Sequence, residues 1–223
     1  MIHGDINIGK HGFYCSSDSG YFNEWTKLLI ASAKKHVPWA NFHVHIFDPI
    51  ESDFTWCKEN SVTISHEITP PQYTSNIETK KGYWVNARFY RIPEIFTSRT
   101  IVCAIDSDSL FYKNMSEDEF IRKCSKSWVT VREKGTGSVG SGVNFGLDSF
   151  RDTFRNILEP NVEQGFKWYL DQEILDKCIA ENKVNTFGMS FSDYNCRPES
   201  YIWTGKGTRK YKHKFAELAN TYR

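Results

Sequence analysis

Two carboxylates one residue apart, Asp106 and Asp108, follow the apolar run Ile101-Val-Cys-Ala-Ile105, which is rich in β-branched residues. The run reads as a buried strand with a charged end. Side chains alternate in extended backbone, so Asp106 and Asp108 would share one side while Ser107 faces the other. Two like charges at the tip of an apolar strand repel each other and resist burial unless a cation lies between them. Mg²⁺ or Mn²⁺ suits that place, because either accepts one or two carboxylates and fills its other positions with water and phosphate oxygens. The competing reading is a turn with solvated aspartates, since turns recruit Asp freely.

Other candidates are spread along the chain. Asp171-Gln172 precedes Ile174, Leu175, Cys178 and Ile179, whose spacing predicts a helix with the pair in its first turn. A first-turn Asp there serves either chemistry or the helix dipole. The run Thr204-Gly-Lys206-Gly207-Thr-Arg209-Lys210-Tyr-Lys212-His-Lys214 is either a solvated basic face or the counter-charge to a phosphate; lysine beside glycine lets backbone N–H groups and an ammonium approach one anion. His43 and His45 share one side of a strand, but no third ligand lies near them in sequence, so they read as ordinary strand residues. Gly135-Thr-Gly137-Ser-Val-Gly140 matches the dinucleotide fingerprint literally. The next residues, Ser141-Gly-Val-Asn-Phe-Gly146, read as strand or loop rather than the required helix, so a glycine loop is the better reading.

The elements that must position these residues alternate. Gly12 to Ser16 predicts a strand, followed by the polar break Ser17-Asp18-Ser19-Gly20. A helix then carries Phe22, Trp25, Leu28, Leu29 and Ala33 on one face and ends at Val37-Pro38. Asn41–Phe47 predicts a strand, Glu51–Glu59 a short helix, 62–64 a strand and 70–81 a polar loop. Residues 83–96 predict a helix that Pro93 ends or kinks, before the strand at 101–105. Such alternation implies an α/β fold, a mostly parallel sheet with helices on both faces, whose ligands bind beyond the carboxyl ends of the strands. The Ser17–Tyr21 loop and the aspartate pair should therefore meet in one crevice. Farther on, Ser116-Glu-Asp-Glu119 has the form of a capping box, 128–131 predicts a strand, Asp148 can cap a helix reaching Leu158, and a last helix carries Phe215, Leu218 and Tyr222.

Composition narrows the classes. The chain has 223 residues, 39% of them hydrophobic, enough for one large domain. With 28 basic and 27 acidic residues the net charge is +1, which gives no overall field for nucleic acid or an anionic membrane. No stretch is apolar enough for a membrane span or a signal peptide, and six scattered cysteines suggest reduced thiols, so a cytoplasmic protein is expected. Oligomeric state leaves no trace in the sequence.

Taken together, several stretches resemble the GT-A nucleotide-diphospho-sugar glycosyltransferases, in the style of glycogenin and the bacterial galactosyltransferases. The likeness runs from about Gly12 to Lys210, within a single domain of residues 1–223. By this resemblance residues 12–115 would be the nucleotide-sugar half and 116–223 the acceptor half with its basic tail. Tyr14-Cys-Ser16-Ser17-Asp18-Ser-Gly-Tyr21 looks like the loop that holds the nucleotide base, and Ala87-Arg88-Phe-Tyr-Arg-Ile-Pro93 like the helix whose arginine lies near the donor. Ile105-Asp-Ser107-Asp108 matches the Asp-x-Asp metal motif. Gly140-Ser141-Gly142-Val-Asn144-Phe-Gly146 resembles the sugar and acceptor segment, Asp171-Gln172 the late catalytic pair, and Thr204-Gly-Lys206-Gly207 the diphosphate loop. Ile202 stands where that family usually places a histidine ligand, and Gly140 where it usually has asparagine. The resemblance implies a metal-dependent hexosyltransferase-like enzyme: Mn²⁺ or Mg²⁺ on Asp106 and Asp108, a nucleotide-sugar, expected to be a UDP-sugar, as donor, and a glycan or other hydroxyl as acceptor. Asp171 would orient the donor sugar or act as base. Two rivals stand beside it: a catalytically silent nucleotide-sugar or glycan binder, and a haloacid dehalogenase-type phosphotransfer enzyme. Leu110, and the hundred residues ahead of the motif, weigh against the latter.

Overall fold

Strands that are apolar on both faces have to be covered on both faces, and the helices that alternate with them provide the cover. The computed structural model describes residues 2–4, 9–96, 101–124, 170–181, 200–205 and 207–223, with short pieces at 129–130, 143–144, 156, 186–187, 192–193 and 198; the side chains of Gln172 and Asn144 lie outside that description.

In chain order, β1 (His3–Gly4) and β2 (His11–Asp18) lead into α1 (Ser19–Tyr21), a π-helical turn (Phe22–Thr26) and α2 (Lys27–His36). Next come β3 (Asn41–Phe47), α3 (Glu51–Glu59), β4 (Thr63–Glu67), α4 (Ile77–Ile95), β5 (Ile101–Ala104), β6 (Ser109–Phe111) and α5 (Glu117–Cys124). The remaining elements are β7 (Val129–Thr130), β8 (Val143–Asn144), α6 (Leu170–Glu181), β9 (Thr186–Phe187), β10 (Ser192–Asp193), β11 (Ile202–Thr204) and α7 (His213–Asn220). The main sheet has the order β1-β4-β3-β2-β5-β8, in which β4, β3, β2 and β5 are parallel and the two edge strands antiparallel. The order turns back beside β2, so a crevice opens at the carboxyl ends of β2 and β5. A second sheet, β10-β11-β6, flanks it, with β6 antiparallel to β11. Because β8 pairs with β5 and β11 with β6, residues beyond 116 complete sheets begun by those before it.

The α1–α2 segment buries two faces. Phe22, Leu29 and Ala33 join Phe13, Val44 and Ile105 in the core against the sheet, while Trp25 and Leu28 pack with Leu110, Phe215 and Ala219 under α7. Asp18 caps α1, its Oδ1 accepting from the Gly20 and Tyr21 amides at 2.9 and 3.2 Å, as an N-cap carboxylate should.

Two expectations need correcting. The polar loop at 70–81 ends early: Asn76 accepts from the Thr79 amide at 2.8 Å and caps α4, which starts at Ile77 and continues through Pro93 to Ile95. Pro93 lies in the last turn and lacks only its own N–H, so the helix outlasts it by two residues. Nor is the aspartate pair in extended backbone. β5 stops at Ala104, and the Ser109 amide donates to the Asp106 carbonyl at 3.1 Å, closing a turn that carries Ser107 and Asp108 into β6. Strand alternation therefore does not set the side the carboxylates share. The helix foreseen after Asp148 and the glycine run at 135–140 lie outside the described residues.

Candidate active site

Asp106 and Asp108 stand where β5 gives way to β6, at the mouth of the crevice. The turn is held on both flanks: the Ile105 amide donates to the Tyr14 carbonyl at 2.8 Å, and the Gly205 amide to the Asp108 carbonyl at 2.9 Å. Beside it, Ser109 and Thr204 share a buried hydroxyl hydrogen bond of 2.9 Å across the β6–β11 pair.

Each aspartate meets its own cation. Arg88, on α4, donates from one terminal nitrogen to Asp106 Oδ1 at 2.5 Å and from the other to Asp171 Oδ2 at 2.7 Å. Burial opposes the charge on Arg88, but the two carboxylates outweigh it and push its pKa up, so the fork stays charged. Its helix is pinned to the central strand by the Tyr14 hydroxyl, which donates to the Arg88 carbonyl at 3.0 Å. Asp171, in the first turn of α6 as expected, is only 2% exposed. On the other side, Asp108 Oδ2 accepts from the Tyr21 hydroxyl at 2.9 Å and from Lys210 Nζ at 3.1 Å, and Lys210 also reaches the Tyr21 hydroxyl. Burial and then the Asp106 charge push the Asp108 carboxyl up, against the pull of Lys210 and Tyr21. Burial and Asp108 likewise push Tyr21 up, which keeps its hydroxyl a donor.

The other foreseen residues differ in their placement. Ser17 is buried, and its hydroxyl accepts from Thr26 at 3.2 Å, so together with the Asp18 cap it shapes the loop. Ser16 and Ser107 are half-buried, on β2 and in the aspartate turn. Tyr21 points its hydroxyl at Asp108, which gives it a task within the acidic cluster. Gly207 is exposed at φ +58°, a left-handed conformation suited to glycine, and opens the 3₁₀ turn Gly207–Tyr211. Asn144 lies on β8 opposite Ile101, and Gln172 follows Asp171 on α6. Lys206, Gly140, Ser141 and Gly142 lie outside the described residues.

Lys210 was missed as an individual residue. The basic run was visible, but composition does not say which lysine a 3₁₀ turn swings inward. The enabling contact is Gly205, where a Cβ would come within 2.7 Å of Lys210 Cβ and 2.8 Å of the Phe215 ring. Only glycine lets the strand end approach that closely.

As read from sequence, His43 and His45 serve the strand. They are buried and joined through Ser65 by hydrogen bonds of 2.8 Å; His45 then contacts Glu67 at 3.4 Å, and Arg91 on α4 donates to Glu67 at 2.6 and 3.2 Å. Arg91 lies one helical turn beyond Arg88, so this buried ladder fixes the helix that carries the fork.

A divalent ion fits the donor set in one respect and finds no enclosing cage in another. Both hydrogen bonds to Asp108 go to Oδ2, leaving Oδ1 without a partner among the described residues. Among the described residues Arg88 bridges Asp106 and Asp171, and Lys210 pairs with Asp108, so three carboxylates converge on this end of the sheet. No group of three or more His, Cys, Asp or Glu side chains among the described residues could hold a metal by itself, and Ile202 is buried in the core. Two carboxylates with water and phosphate oxygens completing the shell is an arrangement that Mg²⁺ and Mn²⁺ accept.

No family model matches the chain, and no curated protein is similar to it in sequence. Solved structures are similar in fold. The glycosyltransferase GlyE of Streptococcus pneumoniae TIGR4 superposes with a TM-score of 0.66 at 13% identity, over 96% of this chain and 60% of that one. The galactosyltransferase LgtC, solved with donor and acceptor sugar analogs, gives 0.62 at 16% identity, over 94% of this chain and 95% of that one. The chain adopts the GT-A glycosyltransferase fold. The bifunctional glycosyltransferase WbbM shares it at a TM-score of 0.51 and 10% identity, over 91% of this chain and 47% of that one. The chain thus spans 60% of GlyE and about half of WbbM, but nearly the whole of LgtC. Among the described residues no helix of the GT-A domain is long and apolar enough to cross a membrane.

Proposed function

We propose that the protein transfers a sugar from a nucleotide-diphospho-sugar, a UDP-sugar by preference, to an acceptor hydroxyl, yielding the glycoside, the nucleoside diphosphate and a proton. One observation carries this reading. The Arg88 fork ties Asp106 of the Asp-x-Asp turn to Asp171 on α6, joining the two segments singled out for donor chemistry at the open end of a GT-A sheet.

In this reading Asp106 and Asp108 hold Mn²⁺ or Mg²⁺, which when bound neutralises the charge developing on the leaving diphosphate. The chain's own residues do the rest. Lys210 supplies a second positive charge for the diphosphate, and Lys206 belongs to the same basic run in sequence. Tyr21 fixes the orientation of the Asp108 carboxylate by donating to Oδ2. Asp171 is buried and held by the Arg88 fork, which fixes its carboxylate in place to orient the donor sugar. The Asp18–Tyr21 loop is the nucleotide side of the crevice, and β8 with Asn144 the acceptor side.

The test is a panel of nucleotide-sugars with Mn²⁺, Mg²⁺ or EDTA, scored for thermal stabilisation and for release of nucleoside diphosphate. Stabilisation and release that need the ion and vanish in Asp108→Ala are expected. Nucleotide-sugar binding by Asp108→Ala as tight as wild type, with the same response to EDTA, would remove the metal from the proposal.

A further inference from the structure

Lys210 is poised in a way that serving a diphosphate alone does not explain. Its residue is only 7% exposed, and its ammonium bonds Asp108 Oδ2 and the Tyr21 hydroxyl. The same ammonium lies over the Tyr21 ring at 4.3 Å from the centroid and 5.4 Å from that of Trp25. A carboxylate, a phenol oxygen and two aromatic faces all favour positive charge at this one point.

That point adjoins the carboxylate a divalent ion would use. An ammonium within hydrogen-bond reach of Asp108 repels a divalent ion on the same carboxylate, and the repulsion is strong where water is scarce. A donor diphosphate would give the ammonium somewhere else to go. The backbone of Lys210 is anchored, since Gly205 leaves no room between its Cα, Lys210 Cβ and the Phe215 ring. The flexible four-carbon stem is what moves.

We infer that Lys210 exchanges partners, resting on Asp108 and Tyr21 in the donor-free protein and on the diphosphate in the loaded one, so that divalent ion and nucleotide bind cooperatively. Lysine thereby holds the place of the ion until the donor arrives. The inference rests on the reading that Asp106 and Asp108 hold an ion against a nucleotide-sugar. Linkage makes the coupling reciprocal: UDP tightens the ion by the same factor as the ion tightens UDP, about 5–150-fold in the usual range for coupled sites.

Calorimetric titration of Mn²⁺ into the full chain, with and without UDP, tests it. Wild type should bind Mn²⁺ weakly alone and about 5–150-fold more tightly with UDP. Lys210→Met should bind Mn²⁺ more tightly than wild type without UDP and lose most of the enhancement, whereas Lys210→Arg should keep the wild-type pattern. Mn²⁺ affinity unchanged or weakened in Lys210→Met would overturn the exchange even if wild type transfers sugar. Absence of both Mn²⁺ and UDP binding in wild type would overturn the underlying reading and the exchange with it. If Lys210→Met does not fold, Lys210→Gln keeps a hydrogen-bond donor beside Asp108 without the charge and should tighten Mn²⁺ binding without UDP in the same direction; no shift would overturn the exchange.

Discussion

Replacing Arg88 probes how the two halves of the site are joined. Its guanidinium spans Asp106 at 2.5 Å and Asp171 at 2.7 Å, and Asp171 is almost fully enclosed. Arg88→Lys keeps the charge but has no fork, so one carboxylate loses a charge-assisted hydrogen bond of about 1.5–3 kcal/mol. Arg88→Met removes the charge and breaks the buried Arg88–Asp171 ion pair, a cost of about 3–5 kcal/mol. In a chain of this size that lowers the melting temperature by roughly 6–20 °C. The control is Asp171→Asn, alone and combined with Arg88→Met. If the pair interacts as drawn, the double variant is less destabilised than the sum of the singles by about 1.5–3 kcal/mol in urea unfolding. Additivity within about 0.5 kcal/mol would refute a structural link between Arg88 and Asp171.

Acid should weaken the fold through the ladder beneath α4. Burial first, and the His45 charge second, push His43 down to about 3, and His45 is lowered too; Thr63, Ser65, Tyr14, Glu67 and Arg91 are the polar groups around them. The unfolded chain therefore takes up protons that the folded one refuses, so stability rises with pH between about 3 and 6.5 and falls by a few kcal/mol as pH drops through that window. For Glu67, burial alone would raise the carboxyl, but His45 and Arg91 hold it down to about 2, so its contribution is lost as pH falls from about 4.5 towards 2. A urea midpoint that does not change from pH 7 to 5 would contradict the histidine part. Gly205→Ala should cost about 1–3 kcal/mol by overpacking, because the new Cβ meets Lys210 and Phe215, and should loosen the Asp108 turn whose carbonyl Gly205 holds; a melting temperature equal to wild type would show that the contact yields freely.

What could be read ahead of the structure was local. The strand Asn41–Phe47 and the helix Glu51–Glu59 were read to the residue, since periodicity and flanking breakers lie within their own segments. The Ser116 cap is there as well, accepting from the Glu119 amide at 3.2 Å. Polar composition hid the start of α4, because a helix begun by an Asn cap and an exposed first turn looks like a loop until its apolar face appears. Strand alternation did not describe how the aspartate pair is presented: a turn between β5 and β6 carries it. Pairings across the chain were out of reach. Arg88 and Asp171 are 83 residues apart, and Lys210 and Tyr21 are 189 apart, so only the folded sheet order brings them together. Resemblance supplied the GT-A fold, which periodicity alone had left at a mostly parallel α/β sheet.

Turnover by Asp171→Asn, normalised to folded protein and compared with wild type across a donor and acceptor panel, tests sugar transfer most directly. Amide and carboxylate are isosteric, so the variant should fold and keep most of its nucleoside-diphosphate affinity, while turnover drops about 10²–10⁴-fold, the usual loss for a positioned electrostatic or acid–base group. Undiminished turnover in Asp171→Asn would take Asp171 out of the site, and nucleotide-sugar binding by wild type with no turnover of any donor would contradict transfer itself.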